Sequence, residues 1–131
     1  MLSKNNRTRF IGLKWLGWLF TLELIIGQSK YVVEWSLSFP KVDQPITITF
    51  YADRGTGGLK GYNGDVYAHT GVITDKSVRP SDWKYLKTNW GQNTSDTKLT
   101  RIATDQYELK IDNIQSYYSV PSSEKILKLA F

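Results

Sequence analysis

Ile46-Thr47-Ile48-Thr49-Phe50 decides the fold class. Apolar and polar residues alternate strictly, and the β-branched and aromatic side chains suit a pleated surface with one buried face. The same period recurs along the chain. Upstream, Trp35, Leu37 and Phe39 alternate with Ser36 and Ser38 as far as Pro40, a pattern that places Trp35 in the core. Downstream, a strand is expected over residues 65–74, with Val66 and Ala68 on one side and Tyr67 and His69 on the other. A short strand at 99–102 precedes a better one at 106–111, where Tyr107, Leu109 and Ile111 alternate with Glu108 and Lys110. A hairpin around Asp105-Gln106 would join the two. Residues 113–118 read as a single helical turn ending before Pro121. A last strand over 125–131 sets Leu127, Leu129 and Phe131 on one face.

Turn chemistry separates these strands. Arg54-Gly55-Thr56-Gly57-Gly58 and Gly61-Tyr62-Asn63-Gly64 supply residues that accept positive φ at little cost. Strands at intervals of about ten residues, without amphipathic helices, predict an all-β chain folded as an immunoglobulin-like β-sandwich over residues 30–131. Phe131 follows an apolar strand with no turn, cap or polar tail. The expectation is a sandwich truncated at the C-terminus, missing its last strand or strands, with an exposed edge.

The first 29 residues differ from the rest. Lys4, Arg7, Arg9 and Lys14 precede an apolar run from Trp15 to Gly27, and Gly27, Gln28 and Ser29 offer a small-residue cleavage site. That order is the pattern of a signal peptide, and it implies export to the cell envelope or the medium. The run is short for a membrane span, which needs about 20 apolar residues, and Glu23 interrupts it. An uncleaved anchor is the competing reading, and no stable membrane insertion is expected after processing.

Removing the leader also removes most of the net charge. The whole chain carries +5, whereas 13 of its 17 basic residues and 11 of its 12 acids follow Ser29, leaving +2. Acids and lysines are interspersed there, without the basic stripe that a phosphate backbone requires, so no nucleic-acid partner is expected. With no cysteine, the domain has no disulfide and no thiolate metal site. Catalysis has little to draw on. His69 is the only histidine and reads as a plain strand residue, with Tyr67 as a packing neighbour. Asp53 and Asp65 flank glycine turns, where an aspartate usually bonds its own backbone. No convincing carboxylate pair, metal set or phosphate loop is present, so the chain is expected to be neither an enzyme nor a cofactor or metal binder.

The aromatic residues are the stronger signal. Trp83, Tyr85 and Trp90 sit in a polar, irregular stretch with Asn89, Gly91, Gln92 and Asn93. Sugar rings present apolar C–H faces to aromatic rings and hydroxyls to amides and lysines. Stacking one ring contributes roughly 1–2 kcal/mol by area. Two such contacts plus hydrogen bonds give a dissociation constant on the order of a millimolar, which suits a module tethered to an enzyme. The alternative is that these aromatics plug the open end of the sandwich.

Three segments carry a resemblance. Gly58-Leu59-Lys60-Gly61-Tyr62 leads to Gly64-Asp65-Val66-Tyr67-Ala68-His69-Thr70-Gly71-Val72-Ile73-Thr74. Ser81-Asp82-Trp83-Lys84-Tyr85 follows, then Tyr118-Ser119-Val120-Pro121 with Lys125-Ile126-Leu127-Lys128-Leu129-Ala130-Phe131. Together, over residues 34–131, they resemble the N-terminal β-sandwich module ahead of the catalytic barrel in secreted alpha-amylase family glycoside hydrolases of bacteria that degrade starch-like glucans. The resemblance implies an accessory module that binds or orients α-glucan beside a covalently linked catalytic domain. A purely structural spacer bracing that domain is the alternative. Ser119 departs from the family pattern, which has glycine in the turn before Pro121. The resemblance assigns no sugar contact, so Trp83, Tyr85 and Trp90 stand on their chemistry alone.

Overall fold

The computed structural model of the chain describes residues 31–131, and the leader expected over 1–29 lies outside them. Their elements run β1 (Val33–Trp35), β2 (Ile46–Tyr51), β3 (Gly71–Thr74), β4 (Thr100–Ala103), β5 (Gln106–Ile111), the short helix α1 (Ile114–Tyr118) and β6 (Ile126–Ala130). The strands form two antiparallel sheets, one in the order β1-β2-β5-β4 and one of β3 with β6. The fold is all-β, with almost no helix.

The alternation in β2 and β5 builds the core directly. Ile46 faces Ile111, Ile48 faces Leu109 and Phe50 faces Tyr107, while Thr47 faces Lys110 and Thr49 faces Glu108 on the outer side. Ile46, Ile48, Leu109 and Ile111 are buried together with Val66, Val72, Leu99, Ile114, Tyr118 and Val120. Each such side chain contributes about 1.5–3 kcal/mol by leaving water. The buried Tyr107 keeps its hydroxyl satisfied by donating to the Tyr62 carbonyl (2.8 Å).

The β4–β5 hairpin turns at Asp105, whose φ of 57° is left-handed. Its buried carboxylate accepts from the Gly61 N–H (2.6 Å), and its carbonyl accepts from Ala52 N–H (2.8 Å). One aspartate thus docks the glycine-rich loop onto the sheet. Helix α1 is capped at both ends: Asn113 Oδ1 accepts from Ser116 N–H (2.8 Å). At its other end Val120 N–H reaches Gln115 O (3.0 Å) and Ser119 N–H reaches Ser116 O (3.1 Å), a Schellman closure. Ser119 takes the left-handed position of that closure, at φ 56°.

Three expectations need correction. The strand expected over 65–74 is divided between partners. Tyr67 bridges to Lys98, with Ala68 N–H donating to Thr97 O (2.8 Å), whereas Gly71–Thr74 pairs with β6. The chain changes partner at His69-Thr70. Trp35 is not a core residue. It lies opposite Ile48 on the inner face but is 58% exposed, because the two-stranded sheet is too narrow to cover β1; Phe39, outside the strand, is 90% exposed. Leu127 does not share a face with Leu129 either. The pairing steps from Ile73↔Lys128 to Thr74↔Ile126, so Leu127 is an extra, bulged residue. The bulge keeps Ile126 and Leu129 against the core and leaves Leu127 59% exposed.

Candidate functional site

The partner change at His69-Thr70 aims the His69 imidazole between two tryptophans that the sequence places far from it. Trp83 lies almost parallel to it, with ring centroids 6.0 Å apart and planes at 28°. Trp90 meets it edge-on, at 5.1 Å and 85°. The Nδ1 atom is enclosed, with no hydrogen-bond partner. The ring therefore acts as an aromatic prop.

Trp90 occupies the tip of a tight turn. Gln92 N–H donates to Asn89 O (3.0 Å), Gly91 takes φ 80°, and Asn89 Nδ2 donates to Gln92 Oε1 (3.3 Å). Propped from beneath by His69, the indole is 83% exposed. A groove of about 250 Å³ beside it is lined by Tyr67, His69, Thr88, Trp90, Gln92 and Asn93, among others. One aromatic face with two primary amides alongside can stack an apolar ring and bond hydroxyls around it.

The loop carrying these residues is anchored on both sides. Lys84 and Val72 exchange backbone hydrogen bonds (2.9 and 2.7 Å). That approach needs a glycine at 71, where a Cβ would come within 2.9 Å of the Lys84 carbonyl oxygen. Lys87 N–H bonds Thr70 O (3.0 Å), and its ammonium reaches Asp96 (2.8 Å) and the Tyr117 carbonyl (2.8 Å). Lys87 and the Thr94 hydroxyl beside Asp96 hold that carboxyl below its ordinary range.

Tyr85 belongs to a different neighbourhood. Its φ is 51°, its ring packs against the core, and its hydroxyl donates to Glu124 Oε2 (2.6 Å). The Thr74 hydroxyl donates to the other Glu124 oxygen, and these two bonds lower the Glu124 pKa. The hydrogen bond to Glu124 in turn raises that of Tyr85. The structure thus brings together Trp83 and Trp90, through His69, and sets Tyr85 apart in a tie between its loop and the approach to β6.

His69 is the residue that sequence reasoning passed over. Its place on one side of the strand with Tyr67 was legible, but a partner change in the middle of the expected strand was not. Asp65 is engaged by Lys98 (2.8 Å), whose hydrogen bond lowers its pKa, and Asp53 is exposed elsewhere. Among the described residues no group of three or more histidines or carboxylates converges, and no helix is long and apolar enough to cross a membrane. No protein-family model and no curated protein matches this chain.

Proposed function

We propose that this chain is an immunoglobulin-like accessory module, without catalytic activity of its own, that binds or orients α-glucan beside an alpha-amylase-like glycoside hydrolase. The observation that carries the reading is the exposed Trp90 indole, braced edge-on by His69 and flanked by Asn89, Gln92 and Asn93. A flat apolar surface with amides at its rim suits a glucose ring. Trp83 supports the platform from behind, through His69. The strand order supports the fold part of the reading. Taken in chain order, β1-β2-β5-β4 against β3-β6 follows the A-B-E-D and C-F order of a seven-strand immunoglobulin sandwich. Export through the leader and a linked catalytic domain belong to the same proposal, on the pattern and resemblance described above.

Titration of the chain with maltoheptaose, followed by tryptophan fluorescence, tests it. Saturable quenching in the millimolar range is expected, and Trp90→Ala should weaken it about tenfold by losing one stacking face. A folded chain that gives no response at tens of millimolar would leave the structural spacer as the better account.

A further inference from the structure

The Asn63-Gly64 pair suits a turn of positive φ, but the fold does not use it as one. Gly55, Gly57, Gly61 and Gly91 take left-handed φ, whereas Asn63 and Gly64 do not. Glycine at 64 leaves space instead: a Cβ there would strike the Tyr62 ring, 2.5 Å from the carbon that bears the hydroxyl. The chain is pinned on both sides of the pair. Gly61 N–H donates to Asp105 Oδ1 (2.6 Å), the Tyr107 hydroxyl donates to Tyr62 O (2.8 Å), and Leu99 N–H donates to Val66 O (2.8 Å). Between these anchors Asn63 and Gly64 are exposed, beside a depression of about 430 Å³ that Asp65, Lys98, Arg101 and Tyr107 help to line. No residue of this depression lines the Trp90 groove.

Arg101 Nη1 donates to Asn63 Oδ1 (3.0 Å), and its Nε donates to Ala103 O (3.3 Å), so the guanidinium is held by its own strand. A guanidinium has no acceptor, so the amide presents its oxygen to Arg101 and turns its NH2 group away. Among the described residues the Gly64 N–H has no hydrogen-bond partner. The parts of an intramolecular acyl transfer are therefore adjacent. They are a polarised amide carbon, a main-chain nitrogen with no side chain beside it, and a fixed cation at the oxygen.

We propose that Asn63 is a self-modification site, where the side-chain amide is lost to the Gly64 nitrogen while Arg101 stabilises the oxyanion. The Gly64 N–H gives its proton to hydroxide, and the nitrogen bonds to Asn63 Cγ. Negative charge gathers on Oδ1, against the Arg101 guanidinium. The Cγ–Nδ2 bond then breaks, and Nδ2 takes a proton from water and leaves as ammonia, closing a succinimide ring. Water opens the ring at either carbonyl, giving aspartate or isoaspartate, and nothing is oxidised or reduced. The other asparagines among the described residues lack this arrangement. Trp90, Thr94 and Ile114 follow them, each with a side chain beside the attacking nitrogen, and the Asn113 oxygen is engaged by Ser116 N–H. The two products act differently on the loop. Aspartate keeps the contact with Arg101 and makes it an ion pair. Isoaspartate adds one carbon to the main chain between the anchors at Tyr62 and Val66, which bows the loop outward and parts it from Arg101.

The test holds the full chain in mildly alkaline buffer for several weeks, then digests it with pepsin in acid so that no ring closes during work-up. Mass spectrometry should find residue 63 converted from amide to acid ahead of Asn89, Asn93 and Asn113. Electron-transfer fragmentation should show both isoaspartate and aspartate there. Arg101→Ala, at an exposed position, should slow the conversion about tenfold by removing one charged hydrogen bond to the developing oxyanion. An Asn63 that stays intact in the folded chain would overturn the proposal, whether or not the urea-unfolded chain converts. Aspartate without isoaspartate would overturn the ring route. Conversion as fast or faster in Arg101→Ala would overturn the part given to the guanidinium.

Discussion

Trp90 and Trp83 touch the same imidazole yet have different duties, and the difference follows from backbone geometry. Trp90 rides a turn that Gly91 closes in the left-handed region, so its ring projects outward. Trp83 adjoins Lys84, whose backbone is bonded to β3, so its ring is held over His69. Trp90→Ala should therefore change the melting free energy by no more than about 0.5 kcal/mol while weakening the proposed glucan binding. Ser119 offers a test of a different kind. A non-glycine residue in the left-handed region costs about 1–2 kcal/mol, partly offset by the chain entropy that glycine brings to the unfolded state. Ser119→Gly should stabilise the chain by about 0.5–1 kcal/mol in urea denaturation, with the denaturant slope unchanged.

Strand β6 shows how an apolar sequence can misstate its own facing. Leu127 and Leu129 are two apart and read as partners on one face, but the bulge against Ile73/Thr74 turns Leu127 outward. Thermal or urea melts should separate them. Leu127→Thr should lie within about 0.5 kcal/mol of the parent, whereas Leu129→Ala should cost about 1–3 kcal/mol, reduced from a full core deletion because Leu129 is only partly buried. Equal effects would place both side chains on one face and remove the bulge from the account. Helix α1 is tied to this strand through a short relay. The Thr70 hydroxyl has one proton and gives it to Ala130 O (2.6 Å), so the Tyr118 hydroxyl is the donor in its 2.7 Å bond to Thr70 Oγ1. One threonine thereby links helix, β3 flank and β6.

That relay ties the helix after β5 to the β3–β6 sheet, and the burial of its phenol makes stability depend on alkaline pH. Burial pushes the Tyr118 phenol from 10.0 up to about 12. A group whose folded pKa is raised contributes stability that is complete below its unfolded value and is lost as pH climbs through the folded one. Stability should therefore fall between about pH 10 and pH 12, and burial of Tyr117 raises that phenol as well, so it adds to the same decline. Tyr118→Phe should cost about 1 kcal/mol at neutral pH from the lost hydrogen bond, yet show a shallower alkaline decline. Urea midpoints measured from pH 8 to 12 in both proteins check the sign. An alkaline limb as steep in the variant as in the parent would assign the decline to other groups.

The all-β character, the alternation along β2 and β5, the hairpin at Asp105 and the helical turn at 113–118 were legible because each depends on neighbours a few residues away: period and turn residues. Trp83 and Trp90 were legible as aromatics in a polar stretch for the same reason. The prop at His69, the separation of Tyr85, the exposure of Trp35 and the outward turn of Leu127 were not. Each depends on which distant segment pairs with which. Val72 bonds Lys84 on one side and Leu129 on the other, and a single extra residue in β6 reverses the facing of everything before it. Local alternation specifies that a strand has two faces; only the stacking of the sheets decides which face is covered, and by what.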